Sequence, residues 1–129
     1  MRYDEMVKEV KDRAEIEDSV EAARTIHVVL QGLCDRLTQD ECEDLLAQMP
    51  EPLKSLIVVS EAPVRITARD FVNWVASELE LTPGEATERV RAVFDVLHEA
   101  VTPGEFHDVV AQLPSGYAEL VPALADRRR

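Results

Sequence analysis

The residues of this chain whose types and spacing could do chemistry lie mostly in its second half. Asp95, His98 and Glu99 fall on one helical stretch, and Glu105, His107 and Asp108 follow on the next. Asp95 and His98 are one helical turn apart, so with His107 and Asp108 they could converge on a divalent cation, for which carboxylate and imidazole are ordinary ligands. The corresponding stretches of the first half read Gln31, Cys34 and Asp35, then Glu41, Glu43 and Asp44. A duplicated metal protein would carry ligands of one type in both copies, and these two sets do not agree. Paired Glu-x-x-His motifs on two helices, the mark of a di-iron bundle, are also missing. Asp95, His98, His107 and Asp108 therefore read first as polar residues on helix surfaces, and neither a metal nor another cofactor is expected. Nucleophilic chemistry has less support still. Cys34 and Cys42 are the only cysteines, lack CxxC spacing, and occupy positions suited to small buried side chains. The four glycines, Gly32, Gly84, Gly104 and Gly116, build neither a phosphate loop nor a serine elbow. A non-enzymatic protein is expected.

The elements that must position these residues follow from a repeat. Shifted by 64 residues, the second half lands on the first: Glu21-Ala22 on Glu85-Ala86, Val29 on Val93, Leu33 on Leu97, Thr38 on Thr102, Glu41 on Glu105, Asp44 on Asp108, Ala47-Gln48 on Ala111-Gln112, and Pro50 on Pro114. Upstream the shift becomes 65, pairing Met6 with Phe71 and Val10 with Val75. Each half reads as four helices, with no alternating run long enough to compete as a strand. Asp18-x-x-Glu21, Thr38-x-x-Glu41, Thr82-x-x-Glu85 and Thr102-x-x-Glu105 have the form of capping boxes, and Thr67-x-x-Asp70 opens the second half. Ile26, Val29, Leu30, Leu33 and Leu37 make a wide apolar stripe, matched by Val90, Val93, Phe94, Leu97 and Val101. Pro50 and Pro114 end the third helix of each half, and final helices bearing Leu53, Leu56 and Ile57, or Tyr117, Leu120 and Val121, follow them. The expected architecture is all-α: repeat 1 (1–59), an extended linker (60–66) and repeat 2 (67–125), packed about a pseudo-two-fold axis as one domain with a short basic tail (126–129).

The paired phrases from Leu37 to Pro50 and from Val101 to Pro114, with their doubled Ala-Gln-x-Pro, resemble the signature of a prokaryotic family of small proteins catalogued as domain of unknown function 2267. The resemblance extends over nearly the whole chain, including its opening Met1-Arg2-Tyr3-Asp4-Glu5. It implies a duplicated helical fold and transfers no catalytic residue.

Two further features invite a role. Trp74 stands where the first half has Glu9, so its indole either covers the seam between repeats or anchors another chain, the seam being preferred because a duplicated domain must join its halves. Gln48 and Gln112 sit two residues before Pro50 and Pro114, where a side-chain amide can bond the unpaired backbone of a helix end. They read as structural fasteners, with a partner-recognition surface as the alternative.

Charge bounds the partners. With 26 acidic against 14 basic residues, a net charge of −12 repels phosphates, so nucleic acid is not expected as a partner and Arg127-Arg128-Arg129 reads as a solvated tail. The longest aliphatic run, Leu56 to Val59, is far short of the ~20 residues that span a bilayer. A cytoplasmic location is expected. The function expected is an accessory or regulatory module that binds a protein partner or a second copy of itself. The alternatives are a small-molecule or metal-binding protein using the groove between repeats, and an acidic mimic of nucleic acid.

Overall fold

The computed structural model describes residues 1–121, and the regular structure among them is entirely helical. The order is α1 (Tyr3–Arg13), α2 (Ser19–Cys34), α3 (Gln39–Ala47), α4 (Glu51–Leu56), α5 (Ala68–Leu79), α6 (Pro83–Ala100), α7 (Pro103–Ala111) and a closing 3₁₀ helix (Ser115–Leu120). The end expected for repeat 2 and the basic tail lie outside the described residues.

Five helices start as their sequences dictate. The side chains of Asp18, Thr38, Thr67, Thr82 and Thr102 each accept a bond from a backbone N–H in the first turn, satisfying a donor with no intrahelical partner. The full reciprocal box forms at Thr82, whose N–H donates to Glu85 Oε1 at 3.0 Å. At Asp18 the expected return bond is absent, because Glu21 is drawn to another helix: Arg89 of α6 donates to Glu21 Oε1 (2.7 Å) and to the buried Thr25 hydroxyl (3.0 Å). α1 and α5 end alike. Glu15 and Glu80 take up left-handed backbone (φ 54° and 56°), and the N–H groups of Ile16 and Leu81 reach back to Lys11 and Ala76, the Schellman arrangement that satisfies the last carbonyls.

The apolar stripes of α2 and α6 are the centre of the core: Ile26, Val29, Leu30 and Leu33 face inward on one, Val90, Val93, Phe94 and Leu97 on the other. α1 packs on α2 and also crosses to α6; α5 packs on α6 and also crosses to α2. The halves thus share one core. Phe71 lies at its heart, with the rings of Phe94 and Tyr117 centred 6.0 and 5.5 Å away. The connecting segment is pinned rather than free. Gln31 both accepts from the Val58 N–H and donates to the Val58 carbonyl, each at 2.9 Å, the Val64 N–H donates to the Asp35 carbonyl, and the buried Tyr117 hydroxyl donates to the Ile66 carbonyl.

Two details differ from the expected pattern. Leu56 is 52% exposed, because α4 is only six residues long and its buried side is filled by Leu53 and, one turn on, Ile57. The last element of the second half is 3₁₀ rather than α.

Candidate functional site: a carboxylate joint between α3 and α7

The first turns of α3 and α7 break the local capping rule in the same way. Thr38 and Thr102 do their half, their hydroxyls accepting from the N–H groups of Glu41 and Glu105 at 3.3 and 3.2 Å. The return bond from the glutamate does not form. The Thr38 N–H donates instead to Gln112 Oε1 (2.9 Å), and the Thr102 N–H to Gln48 Oε1 (2.8 Å). Each glutamine also donates from Nε2 to the hydroxyl of the same threonine, at 3.2 and 3.4 Å. The C-terminal end of each short helix therefore caps the N-terminal end of the other, and α3 and α7 lie antiparallel.

Gln48 and Gln112 thus reach across to the facing helix, not to the backbone at their own helix ends. They do not bond carbonyls of their own helix ends, because the unpaired N-cap N–H of the facing helix offers a donor that otherwise has no partner. Replacing either glutamine by alanine should cost about 1 to 2 kcal/mol in urea unfolding, with near-equal losses at the two positions. A loss at one position only would show that the exchange is not shared between the helices.

With the N-cap amides taken, Glu41 and Glu105 are free to turn toward each other. Oxygens of Glu41, Glu105 and Asp108 lie within 4.8 Å of one another. Glu105 is 8% exposed, Glu41 is half-buried and Asp108 is open to solvent. Glu41 Oε2 and Glu105 Oε2 are both shut away from solvent, and neither accepts a hydrogen bond. Burial pushes the Glu105 carboxyl up to about 8, reinforced by Glu41 opposite and by the charges of Asp44 and Asp108. Like charges held this close cannot both stay ionised cheaply; a proton or a cation relieves them.

The other candidates from the sequence do not gather here. The Asp95 carboxylate receives the Arg13 guanidinium at 2.6 Å, in a cluster where Arg13 also pairs with Glu9 and Glu99. His98 packs edge-on against Phe106, ring centres 4.5 Å apart. His107 is exposed, its Nδ1 3.7 Å from Asp108. Of Asp95, His98, His107 and Asp108, only Asp108 belongs to the acidic joint. The signal that would have found the joint is the doubled Thr-x-x-Glu-x-x-Asp, Thr38-Glu41-Asp44 and Thr102-Glu105-Asp108, in which the two halves do agree in type. Cys34 and Cys42 are both buried and unbridged. Pro50 and Pro114 stand at the N-caps of the elements after α3 and α7.

Trp74 lies across the two halves. A Cβ at Gly32 of α2 would come 2.6 Å from Trp74 Cζ3 and 2.9 Å from Phe71 Cε2, so the indole of α5 rests on the bare backbone of α2. It is half-buried there.

No curated protein matches the chain. The model of the family described as "Uncharacterized conserved protein (DUF2267)" matches residues 3–120, including both Ala-Gln-x-Pro phrases and all three acids of the joint; the chain belongs to the DUF2267 family.

Proposed function

We propose that the protein is a non-enzymatic accessory module whose two duplicated four-helix halves, joined by residues 60–66, hold a cationic ligand between them at the α3–α7 joint. Pseudo-two-fold packing of the halves is part of this reading. It is supported by the matched crossings of α1 onto α6 and α5 onto α2, and by the reciprocal glutamine–threonine bonds. A cytoplasmic setting belongs to the same proposal; among the described residues, no helix is long and apolar enough to cross a membrane. Of the alternatives raised by the sequence, ligand binding between the repeats gains most from the geometry.

The observation that carries the reading is the pair of buried carboxylate oxygens with no partner, on Glu41 and Glu105. Buried like charges oppose folding, and a neutral isosteric pair able to bond to itself removes that cost. Breaches of the folding rules concentrate at functional or strained sites. The double variant Glu41→Gln/Glu105→Gln is therefore expected to be more stable than the parent in metal-free buffer at pH 8, by about 2 kcal/mol. Denaturant unfolding measures it. A variant less stable than the parent would make the acids a brace of the fold and end the cationic-ligand reading.

A further inference from the structure

We infer that the α3–α7 joint is a single-ion site for a hard divalent cation of calcium or manganese type, with Glu41, Glu105 and Asp108 as its protein ligands. The inference rests on the reading of the joint as a cation-binding seam and names the ion class. The donor set is the first reason. All three groups are carboxylates, and an all-oxygen set suits calcium, manganese or magnesium rather than zinc or copper, which favour nitrogen and sulfur.

The second reason is an orphaned buried atom. Glu105 is more than nine-tenths buried, yet its Oε2 has no hydrogen-bond partner and belongs to the carboxylate that meets Glu41 and Asp108. Glu41 Oε2 is buried and unpartnered in the same way. A cation held in the joint would serve both carboxylates and Asp108 together, where a proton shared by Glu41 and Glu105 leaves Asp108 outside.

Size narrows the choice. Oxygens no more than 4.8 Å apart place a central ion at most about 2.8 Å from each, so a small inward shift reaches the 2.3–2.6 Å of calcium, while the 2.0–2.1 Å of magnesium demands more closure. Asp108, exposed one turn after Glu105 on α7, gives the ion a way in and leaves room for the waters that complete its shell. Glu41 and Glu105 stand in the first turns of α3 and α7, whose positive ends hold carboxylates in place but weaken their grip on a cation. A modest affinity follows, with Kd in the range of about 10 to 1,000 µM.

The test uses the whole chain, stripped with chelator and titrated with MnCl₂ in about 0.15 M NaCl, which screens diffuse attraction to the acidic surface. Electron paramagnetic resonance reads free Mn²⁺. The expected result is one Mn²⁺ per chain, displaced by CaCl₂. Affinity should fall at least tenfold in Glu41→Gln/Glu105→Gln and about three- to tenfold in the solvent-side variant Asp108→Asn, which keeps the buried acids and the fold. The exposed pair Asp40→Asn/Glu43→Gln on α3 should bind as the parent does. No saturable binding up to several millimolar, or binding indifferent to Asp108→Asn and to the glutamate pair, overturns the ion site. If the parent binds no Mn²⁺ while Glu41→Gln/Glu105→Gln is the more stable protein, the ion assignment fails and the broader reading of a cationic ligand stands. A glutamine pair less stable than the parent removes that broader reading itself.

Discussion

Gly32→Ala should cost about 2 to 3 kcal/mol, the largest loss expected from adding a single carbon to this chain. In an exposed helix interior the same change gains about 1 kcal/mol, since alanine is the better helix former. Here the new Cβ would stand 2.6 Å from Trp74 Cζ3 and 2.9 Å from Phe71 Cε2, distances at which carbon atoms repel steeply. Phe71 is fully buried among Phe94 and Tyr117 and has little room to yield. Trp74 is half-buried, and moving it aside uncovers the backbone of α2 that it rests on. Removing the indole alone, Trp74→Ala, should lose about 3 kcal/mol, the lower end of the range for large aromatics because the ring is half-buried. In the double variant Gly32→Ala/Trp74→Ala the two losses should fall short of their sum, since the worst contact is gone. Urea unfolding of the four proteins checks this. Strict additivity would mean that Trp74 does not seat on Gly32 as a unit, and unchanged stability in Trp74→Ala would return the indole to the role of an exposed anchor.

The seam was half legible in the sequence. Self-comparison sets Trp74 against Glu9 and Gly32 against Val96, one position too large for its counterpart and one too small. Each mismatch is visible alone; that the bare backbone of one receives the ring of the other depends on how α5 crosses α2. The helix starts were readable because N-cap chemistry is local: Asp18, Thr38, Thr67, Thr82 and Thr102 each bond within their own first turn. The same locality hid the joint. Thr38-x-x-Glu41 and Thr102-x-x-Glu105 have the form of complete boxes, and nothing within either segment reveals that Gln112 and Gln48 take the N-cap amides from a distance of 74 and 54 residues. Once those amides are taken, Glu41 and Glu105 need other partners and find each other. Asp95 and His98 share α6, as their spacing predicts, but their partners, Arg13 and Phe106, come from elements the spacing does not connect to them.

The second large effect is a dependence of stability on pH that comes from the joint. The Glu105 carboxyl titrates from about 4.5 in the unfolded chain to about 8 in the folded one, through burial and the facing charges of Glu41 and Asp44 on α3 and Asp108 on α7. Between those values the folded protein holds a proton that the unfolded chain has released. The stabilising contribution is fully present below about pH 4.5 and is lost as pH rises through the window to about 8. Raised acids such as Glu105 thus act opposite to Glu85 and Glu99, whose carboxyls are lowered, Glu85 by the backbone and hydroxyl of Thr82 and Glu99 by Arg13; their contributions fade only on acidification. A comparison with Glu105→Gln cancels those other groups.

The measurement that bears most directly on the joint is therefore the unfolding free energy of the parent and of Glu105→Gln, both metal-free, followed from pH 5 to pH 8. The account predicts that the variant gains on the parent steadily across this range, by about 2 kcal/mol in total, because glutamine carries no charge to release. A difference between the two proteins that stays constant from pH 5 to pH 8 would contradict it, and would mean that Glu105 meets no buried charge across the α3–α7 joint.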